Sequence, residues 1–206
     1  NLADLDDSIA NGSALPTPDG SRPLALFTAA RTDYSLHRLR HYTGTGAEYF
    51  QNFVILTNYQ FYVEEFVRMA QSIMQVTDDP TQRAYREQYK CLVEPGGHIT
   101  PNRNLGGGEP QGSPSTRLPQ MPAYHLVRDD ACGITIINIG VGPANAKTIT
   151  DHLAVLRPHA WIMLGHCAGL RETQKLGDYV LAHAYVRDDH VLDADLPAWV
   201  PVPALA

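Results

Sequence analysis

The stretch ITIINIGVGPANAKT, residues 134–148, decides the fold class of this chain. A β-branched apolar run passes directly into a glycine turn, and a helical pattern follows in which apolar residues recur at i, i+4 and i+7. Pro158 ends that pattern, and the apolar run Ala160–Leu164 leads into a second turn, GHCAG, at residues 165–169. We therefore predict a strand, a helix and a parallel strand, with both turns at the carboxyl edge of the sheet, where open α/β proteins bind their ligands.

Two familiar phosphate-binding motifs fit the first turn poorly. A dinucleotide fingerprint needs a third glycine where Asn145 stands, and a P-loop needs glycines where Val141 and Ala146 stand. A third interpretation is a glycine turn that accepts a single phosphate or sugar, with Gly142 allowing close backbone approach and Lys147 supplying a charge. The structural alternative, tight packing at the glycines and a solvated lysine, stays open at this point.

Three segments resemble the nucleoside phosphorylase/nucleosidase superfamily. Residues 140–148 resemble its G-x-G-x-[PV]-[SN]-A turn, residues 164–169 resemble its G-[ST]-[CAT]-G-[GA] turn, and LGDYVLA at residues 176–182 resembles the opening of one of its strands. Four more segments, residues 41–45, 56–59, 151–158 and 187–193, are similar to the AMP nucleosidase family within it. The resemblance runs from about residue 27 to residue 206, apart from residues 96–119.

The resemblance implies an α/β, three-layer nucleoside-phosphorylase-like fold with a mixed, mainly parallel central sheet that is incomplete in this chain. It implies an N-glycosidase that hydrolyses AMP to adenine and ribose 5-phosphate, in purine nucleotide salvage or the control of AMP levels. Phosphorolytic members of the superfamily have an arginine at the position of Met163 and a serine or threonine at the position of His166. Because this chain has neither, the resemblance favours water as the attacking group. A phosphorolytic purine nucleoside phosphorylase and a non-catalytic nucleotide-binding module remain alternatives.

The resemblance also assigns candidate site residues. No catalytic residue is assigned here, because the catalytic acid is expected C-terminal to residue 206, and this chain by itself is therefore expected to be inactive. Arginines suit a 5′-phosphate because the guanidinium donates two hydrogen bonds in one plane, although a solvated helix face is the alternative. The candidate substrate- and phosphate-binding residues are Arg31, Arg38, Arg40, Tyr59, Gly142, Asn145, Lys147, Gly165, His166 and Cys167.

The composition of the chain argues against two classes of partner, nucleic acids and membranes. The net charge of −6 with scattered cations argues against nucleic acid, and the chain has no 18-residue apolar run that would indicate a membrane segment. Its three cysteines form no framework, which is typical of a cytoplasmic protein. We expect no metal or redox cofactor, phosphate as a candidate ligand or effector, and a homo-oligomer with shared active sites, a hexamer by resemblance.

The remaining pattern predicts the organisation of the chain. Residues 1–22 are expected to be a flexible lead or the end of an upstream domain, and residues 23–206 the N-terminal portion of a catalytic domain with a flexible loop at about residues 96–119. A helix over residues 33–42 with Asp33 as its cap should present Arg38 or Arg40 to the cleft of its own or a neighbouring subunit. We also predict strands over residues 53–58, 121–127, 134–139 and 179–185, the last parallel, and a helix over residues 62–74.

Overall fold

The computed structural model describes residues 29–191 and 193–203, so the predicted lead at residues 1–22 lies outside the described residues. Its helices are α1 (Ala29–Thr43), α2 (Gln60–Met74), α3 (Pro80–Arg86) and α4 (Pro143–Leu153). Its strands are β1 (Phe53–Thr57), β2 (Cys91–Glu94), β3 (His98–Pro101), β4 (Ala123–Val127), β5 (Ile134–Asn138), β6 (Ala160–Leu164), β7 (Ala184–Tyr185) and β8 (Val202–Pro203).

Six strands form one mixed sheet in the order β3-β2-β4-β5-β1-β6. β1 pairs in parallel with β5 on one side and β6 on the other, whereas β2–β3, β2–β4 and β4–β5 are antiparallel. The α/β fold with a mixed sheet is confirmed, but parallel pairs do not predominate among the described strands. The reason is that β2–β3 and β4–β5 are hairpins, whose short connections allow only antiparallel pairing.

Helices cover both faces of this sheet. On one face, α1 and α4 contribute Leu39, Ile149 and Leu153 to a core that contains Leu56 of β1 and Ile137 of β5. On the other face, the apolar side of α2 packs on the alternate residues of the same sheet, and its core includes Val63, Phe66, Leu92, Leu126 and Ile136. Because successive strand residues point to opposite faces, the two cores define three layers.

Most of the predicted elements are confirmed. The observed β1, α2, β4, β5 and β6 lie where the apolar patterns predicted them. The first helix ends at Thr43, one residue beyond its predicted end, and Gly44 follows with a φ of 72° and its N–H donated to the carbonyl of Arg40. Its start differs, because α1 already includes Ala29, four residues before Asp33. The predicted N-cap at Asp33 is therefore wrong, because Asp33 lies within the helix.

Two further predictions need correction. Within the expected loop at residues 96–119, His98–Pro101 forms the edge strand β3, because Gly96 and Gly97 adopt positive φ values and close a hairpin with β2. The predicted parallel strand at residues 179–185 is reduced to β7, which pairs antiparallel with β8 in a separate two-stranded sheet. Tyr179 is 99% exposed, so this segment has no apolar surface among the described residues against which a strand could pack.

Candidate functional site

The chain changes direction between β1 and β5, which lie side by side in the sheet. After β1 it passes through α2 towards β2, and after β5 it passes through α4 on the opposite face towards β6. Thr57 is level with Asn138 and with Leu164, so the turns that follow all three parallel strands meet at one edge. Such a topological switch point is where open α/β sheets bind ligands. We call the space between residues 58–60 and 138–142 the switch-point crevice.

The β5 side of the switch-point crevice is the predicted glycine turn. Gly140 and Gly142 adopt φ values of 67° and 107°, and Pro143 begins α4, so the predicted strand, turn and helix start are confirmed. Gly142 is exposed, and no side chain caps the helix that follows it. The Gly140 N–H donates to Asn138 Oδ1 over 3.0 Å, and Asn138 Nδ2 donates to Gln60 Oε1 over 3.1 Å. One amide thus joins the two sides of the crevice.

The two polar side chains predicted to face a ligand at this turn are engaged elsewhere. Asn145 Nδ2 donates to the carbonyl of Val141, within its own turn, over 3.2 Å. Lys147 Nζ pairs with Asp151 Oδ2 at 2.9 Å. Lys147 also lines a groove of about 470 Å³ formed by α4 and the loop around residue 190. The groove is lined by Pro143, Ala146, Lys147, Thr150, Asp151, Asp189, Val191 and Asp195.

The charge of this groove works against an anionic ligand. Three carboxylates, from Asp151, Asp189 and Asp195, line it with the single ammonium of Lys147. Like charges raise the energy of a bound phosphate, and the one cation is already paired. The phosphate-binding role predicted for Lys147 therefore finds no support in its surroundings, whereas the glycine turn beside it remains open.

The β6 side of the site brings two predicted residues together. The ring centroids of Tyr59 and His166 are 4.0 Å apart, and Tyr62 lies 5.5 Å from the same imidazole. Gly165 approaches the end of β1 closely, since a Cβ at this position would lie 3.7 Å from Asn58 Oδ1. Cys167 is exposed. The turn after β6 and the turn after β1 thus form one aromatic wall beside the switch-point crevice.

Arg31 and Arg38 lie on α1 beside the C-terminal end of α4. Arg31 Nη2 donates to the Asp151 carbonyl over 3.0 Å, and the Arg38 guanidinium lies 4.5 Å from the centroid of the Tyr42 ring. Burial, followed by the charges of Arg31 and Arg38, lowers the pKa of His152, whose ring packs against Tyr34 and Tyr42. This arrangement places positive charge at the carboxyl end of a helix, where it stabilises the helix dipole.

These arginines are separated from the glycine turn within the described chain. Asp151 lies nine residues after Gly142, which corresponds to about 13 Å along α4. Arg31 and Arg38 are therefore not brought together with the switch-point crevice. Arg40 is exposed on the surface of α1.

Three polar residues of the site were not predicted as site residues. Asn58 directly follows β1, Asn138 is the last residue of β5, and Gln60 begins α2. The Oδ1 atom of Asn58 is buried and has no hydrogen-bond partner among the described residues. A polar residue immediately after a buried parallel strand is the sequence signal that would have identified the two asparagines.

Within residues 29–191 and 193–203, no group of three or more His, Cys, Asp or Glu side chains could hold a metal ion. Over the same residues, no helix has both the length and the apolar character needed to cross a membrane.

Comparisons with known proteins give close relatives. No family model matches the chain. It is 52% identical over 205 residues to AMP nucleosidase of Escherichia coli K12 and to that of E. coli O157:H7, a match that covers 100% of this chain and 40% of each relative. The crystal structure of AMP nucleosidase from Bacteroides thetaiotaomicron VPI-5482 is similar, with a TM-score of 0.54 and 26% identity over 83% of this chain and 53% of that one. The resemblance inferred from the sequence is thereby confirmed, and the chain spans 40% of the length of its curated relatives.

Proposed function

We propose that this chain is a portion of an AMP nucleosidase, an N-glycosidase that hydrolyses AMP to adenine and ribose 5-phosphate. The observation that carries the proposal is the 52% identity to AMP nucleosidases, which extends over the whole chain and therefore includes the turns at the switch-point crevice. A shared fold alone would not support a shared activity, but the resemblance here extends to the site.

The proposed reaction breaks the bond between C1′ of the ribose and N9 of the adenine. The bonding electrons leave with the adenine, which takes up a proton, and the oxygen of water bonds to the cationic C1′ and loses a proton. The enzyme has to hold the phosphate, shelter the charged sugar and deliver a proton to the base, and proton delivery alone contributes a factor of the order of 10²–10⁴ in rate.

Within this proposal, the chain supplies binding groups. The helix start after Gly142 has no side-chain cap, so the backbone N–H groups of the first turn beyond Pro143 favour an anion such as the 5′-phosphate. The ring pair of Tyr59 and His166 supplies a flat wall suited to the sugar or the base, next to Gly165. The resemblance also assigns Asn145, Lys147, Cys167, Arg31, Arg38 and Arg40 to the site. In this proposal the arginines act across a subunit boundary, whereas Lys147 stays paired with Asp151 and does not hold the phosphate.

The finer parts of the proposal concern partners and setting. We propose that the enzyme acts in purine salvage in the cytoplasm, requires no metal or redox cofactor, and takes phosphate as a ligand or effector. We also propose a homo-oligomer, a hexamer, because α1 then carries its exposed arginine to a neighbouring site. Light scattering coupled to gel filtration measures the subunit number of the full-length protein directly, and a monomer would contradict the proposed homo-oligomer.

A product assay tests the proposed function. The full-length protein should release adenine and ribose 5-phosphate from AMP at the same rate with and without added phosphate. Adenosine supplied with phosphate tests the alternative, because a phosphorylase forms ribose 1-phosphate only in that mixture. Binding of AMP in calorimetry with no release of adenine by the full-length protein would instead establish a non-catalytic nucleotide-binding module and overturn the proposal.

A further inference from the structure

We propose that Asn58 recognises the sugar of the nucleotide: its side-chain oxygen accepts a hydrogen bond from a ribose hydroxyl group bound beside Gly165. The inference rests on the proposed function and deepens it, because it names a group that distinguishes ribose from deoxyribose. Two observations carry it, an unpaired acceptor directly after β1 and an unfilled space next to that acceptor.

The first observation is the state of the Asn58 amide. Its Oδ1 atom is buried and has no hydrogen-bond partner among the residues that the structure describes. A buried acceptor without a donor costs free energy, and native structures rarely leave one in this condition. Reversing the amide does not remove the cost, because the NH₂ group then brings two unpaired donors to the same place. This position therefore needs a donor from outside the described residues.

The second observation is the missing side chain at Gly165. This residue follows β6 at the level of Asn58, because Thr57 is paired with Leu164. A Cβ at Gly165 would lie 3.7 Å from Asn58 Oδ1 and 3.9 Å from Tyr59 Cε2, which are ordinary van der Waals distances. Gly165 is also not among the glycines with positive φ, so its backbone is open to any residue. The fold of the described residues does not demand a glycine here, and the glycine leaves free a space beside the acceptor.

The Asn58 amide can reach this space from the rim of the switch-point crevice. Asn58 is only partly buried as a residue, and the terminal torsion of asparagine is broad, so a small rotation turns the oxygen towards the crevice. The ring pair of Tyr59 and His166, with centroids 4.0 Å apart, adjoins the same space. A sugar that lies against these rings brings its hydroxyl groups next to the oxygen of Asn58.

The chemistry of AMP selects the group that can bind to this oxygen. An amide oxygen only accepts, so it needs an O–H or N–H donor. The phosphate is ionised at neutral pH and offers acceptors, which leaves the two ribose hydroxyls and the amine of adenine. The ribose is joined to the phosphate through one carbon, whereas the amine lies on the far side of the base. With the phosphate at the glycine turn of the same crevice, the ribose hydroxyls are the donors within reach of Asn58.

Three variants of the full-length protein and one control test the inference. Asn58→Leu keeps the approximate size of the side chain and removes the acceptor. Asn58→Asp keeps an acceptor oxygen, and Gly165→Ala narrows the space beside it. The matched control is Asn52→Leu, which makes the same change directly before β1, about 20 Å away along the strand.

The measurement is kcat/KM for AMP, for 2′-deoxy-AMP and 3′-deoxy-AMP, and for the analogue that lacks the amine of adenine, with melting temperatures recorded in parallel. We expect the parent to prefer AMP over one of the two deoxy analogues by about fivefold to tenfold, as one hydrogen bond provides. Asn58→Leu should reduce this preference to about twofold or less, and Gly165→Ala should weaken it. Asn58→Asp and Asn52→Leu should retain it, and the response to loss of the amine should be the same in all forms.

Specific outcomes would overturn the inference. An Asn58→Leu variant that keeps the preference of the parent would do so, as would a parent that does not distinguish AMP from either deoxy analogue. Equal losses for all four nucleotides would show a disturbance of the fold, and a changed response to the amine alone would assign the contact to the base; both contradict a sugar contact. If Asn58→Leu does not fold, Gly165→Ala decides by the same comparison. The proposed function is judged separately, by release of adenine from AMP by the parent protein.

Discussion

The Nε2 atom of His125 lies 2.8 Å from the hydroxyl oxygen of Thr45, although the two residues are 80 positions apart in the chain. The Thr43 hydroxyl donates to the carbonyl of Leu39, so it accepts from Thr45, and Thr45 in turn accepts from His125. The imidazole therefore carries its proton on Nε2, and Nδ1 accepts from the hydroxyl of Thr135 over 2.9 Å. This buried chain of hydrogen bonds ties the end of α1 to β4 and β5.

Burial makes this histidine a source of acid sensitivity. The buried environment lowers the pKa of His125 to about 3, from 6.5 for a free side chain. Between these values the unfolded chain binds a proton that the folded chain does not, so stability falls as the pH is lowered through this window, and the contribution vanishes above about pH 6.5. We expect a slope of up to about 1.4 kcal/mol per pH unit from this group.

Urea unfolding at a series of pH values measures this slope. His125→Gln keeps polar groups at the site and removes the titration, so its curve should be flatter than that of the parent between pH 6.5 and pH 4. Superimposable pH profiles for the two proteins would contradict the prediction, whatever the difference in their absolute stability.

The hydroxyl of Thr45 should contribute to stability through the same chain of bonds. Thr45→Val leaves the Nε2–H of His125 without an acceptor in the interior, which we expect to cost about 1–3 kcal/mol of unfolding free energy. Thr45→Ser restores the hydroxyl and should recover a large part of that loss. Chemical denaturation measures the unfolding free energy of the parent and of both variants. A valine variant as stable as the parent would disprove the stabilising role of the Thr45 hydroxyl.

Arg38 and Arg40 should behave differently although they are neighbours on α1. Arg38→Ala removes a cation–π contact and a hydrogen bond with Tyr42, so we expect a loss of about 1 kcal/mol in stability. Arg40→Ala alters an exposed side chain and should change stability by no more than about 0.5 kcal/mol. In the proposed homo-oligomer, Arg40→Ala should weaken AMP more than adenosine, because only AMP has the phosphate. Equal weakening of both ligands would argue against this contact.

The 206-residue chain by itself should release little or no adenine from AMP. It spans 40% of the length of its AMP nucleosidase relatives, and a proton donor for the base must come within about 3 Å of it. Asp189 is the carboxylate to examine, because it lines the groove beside Pro143 at the start of α4. Chromatography of products detects adenine sensitively, and release that disappears in Asp189→Asn would place the catalytic acid within this chain.

The strands that bear the site were predictable because their signals are local. Apolar runs, the glycines at 140 and 142 and the proline at 143 determine where β5 ends and α4 begins, and these residues are adjacent in the chain. Two predictions rested on the same kind of pattern and did not hold: the loop that contains β3, and the strand at residues 179–185. Residues 98–101 form a strand because they pair with β2, whereas within residues 179–185 only Ala184 and Tyr185 pair with another strand.

The sequence by itself determined the α/β layers, the edge at which the two glycine turns lie and the resemblance to AMP nucleosidases, because apolar periodicity and turn residues act over a few positions. Only the tertiary structure decided that β1 lies between β5 and β6, that Lys147 is paired with Asp151, and that Asn138 joins Gln60 across the crevice. These are relations between groups brought together by folding. Their free energies depend on distance and burial, which spacing along the chain does not specify.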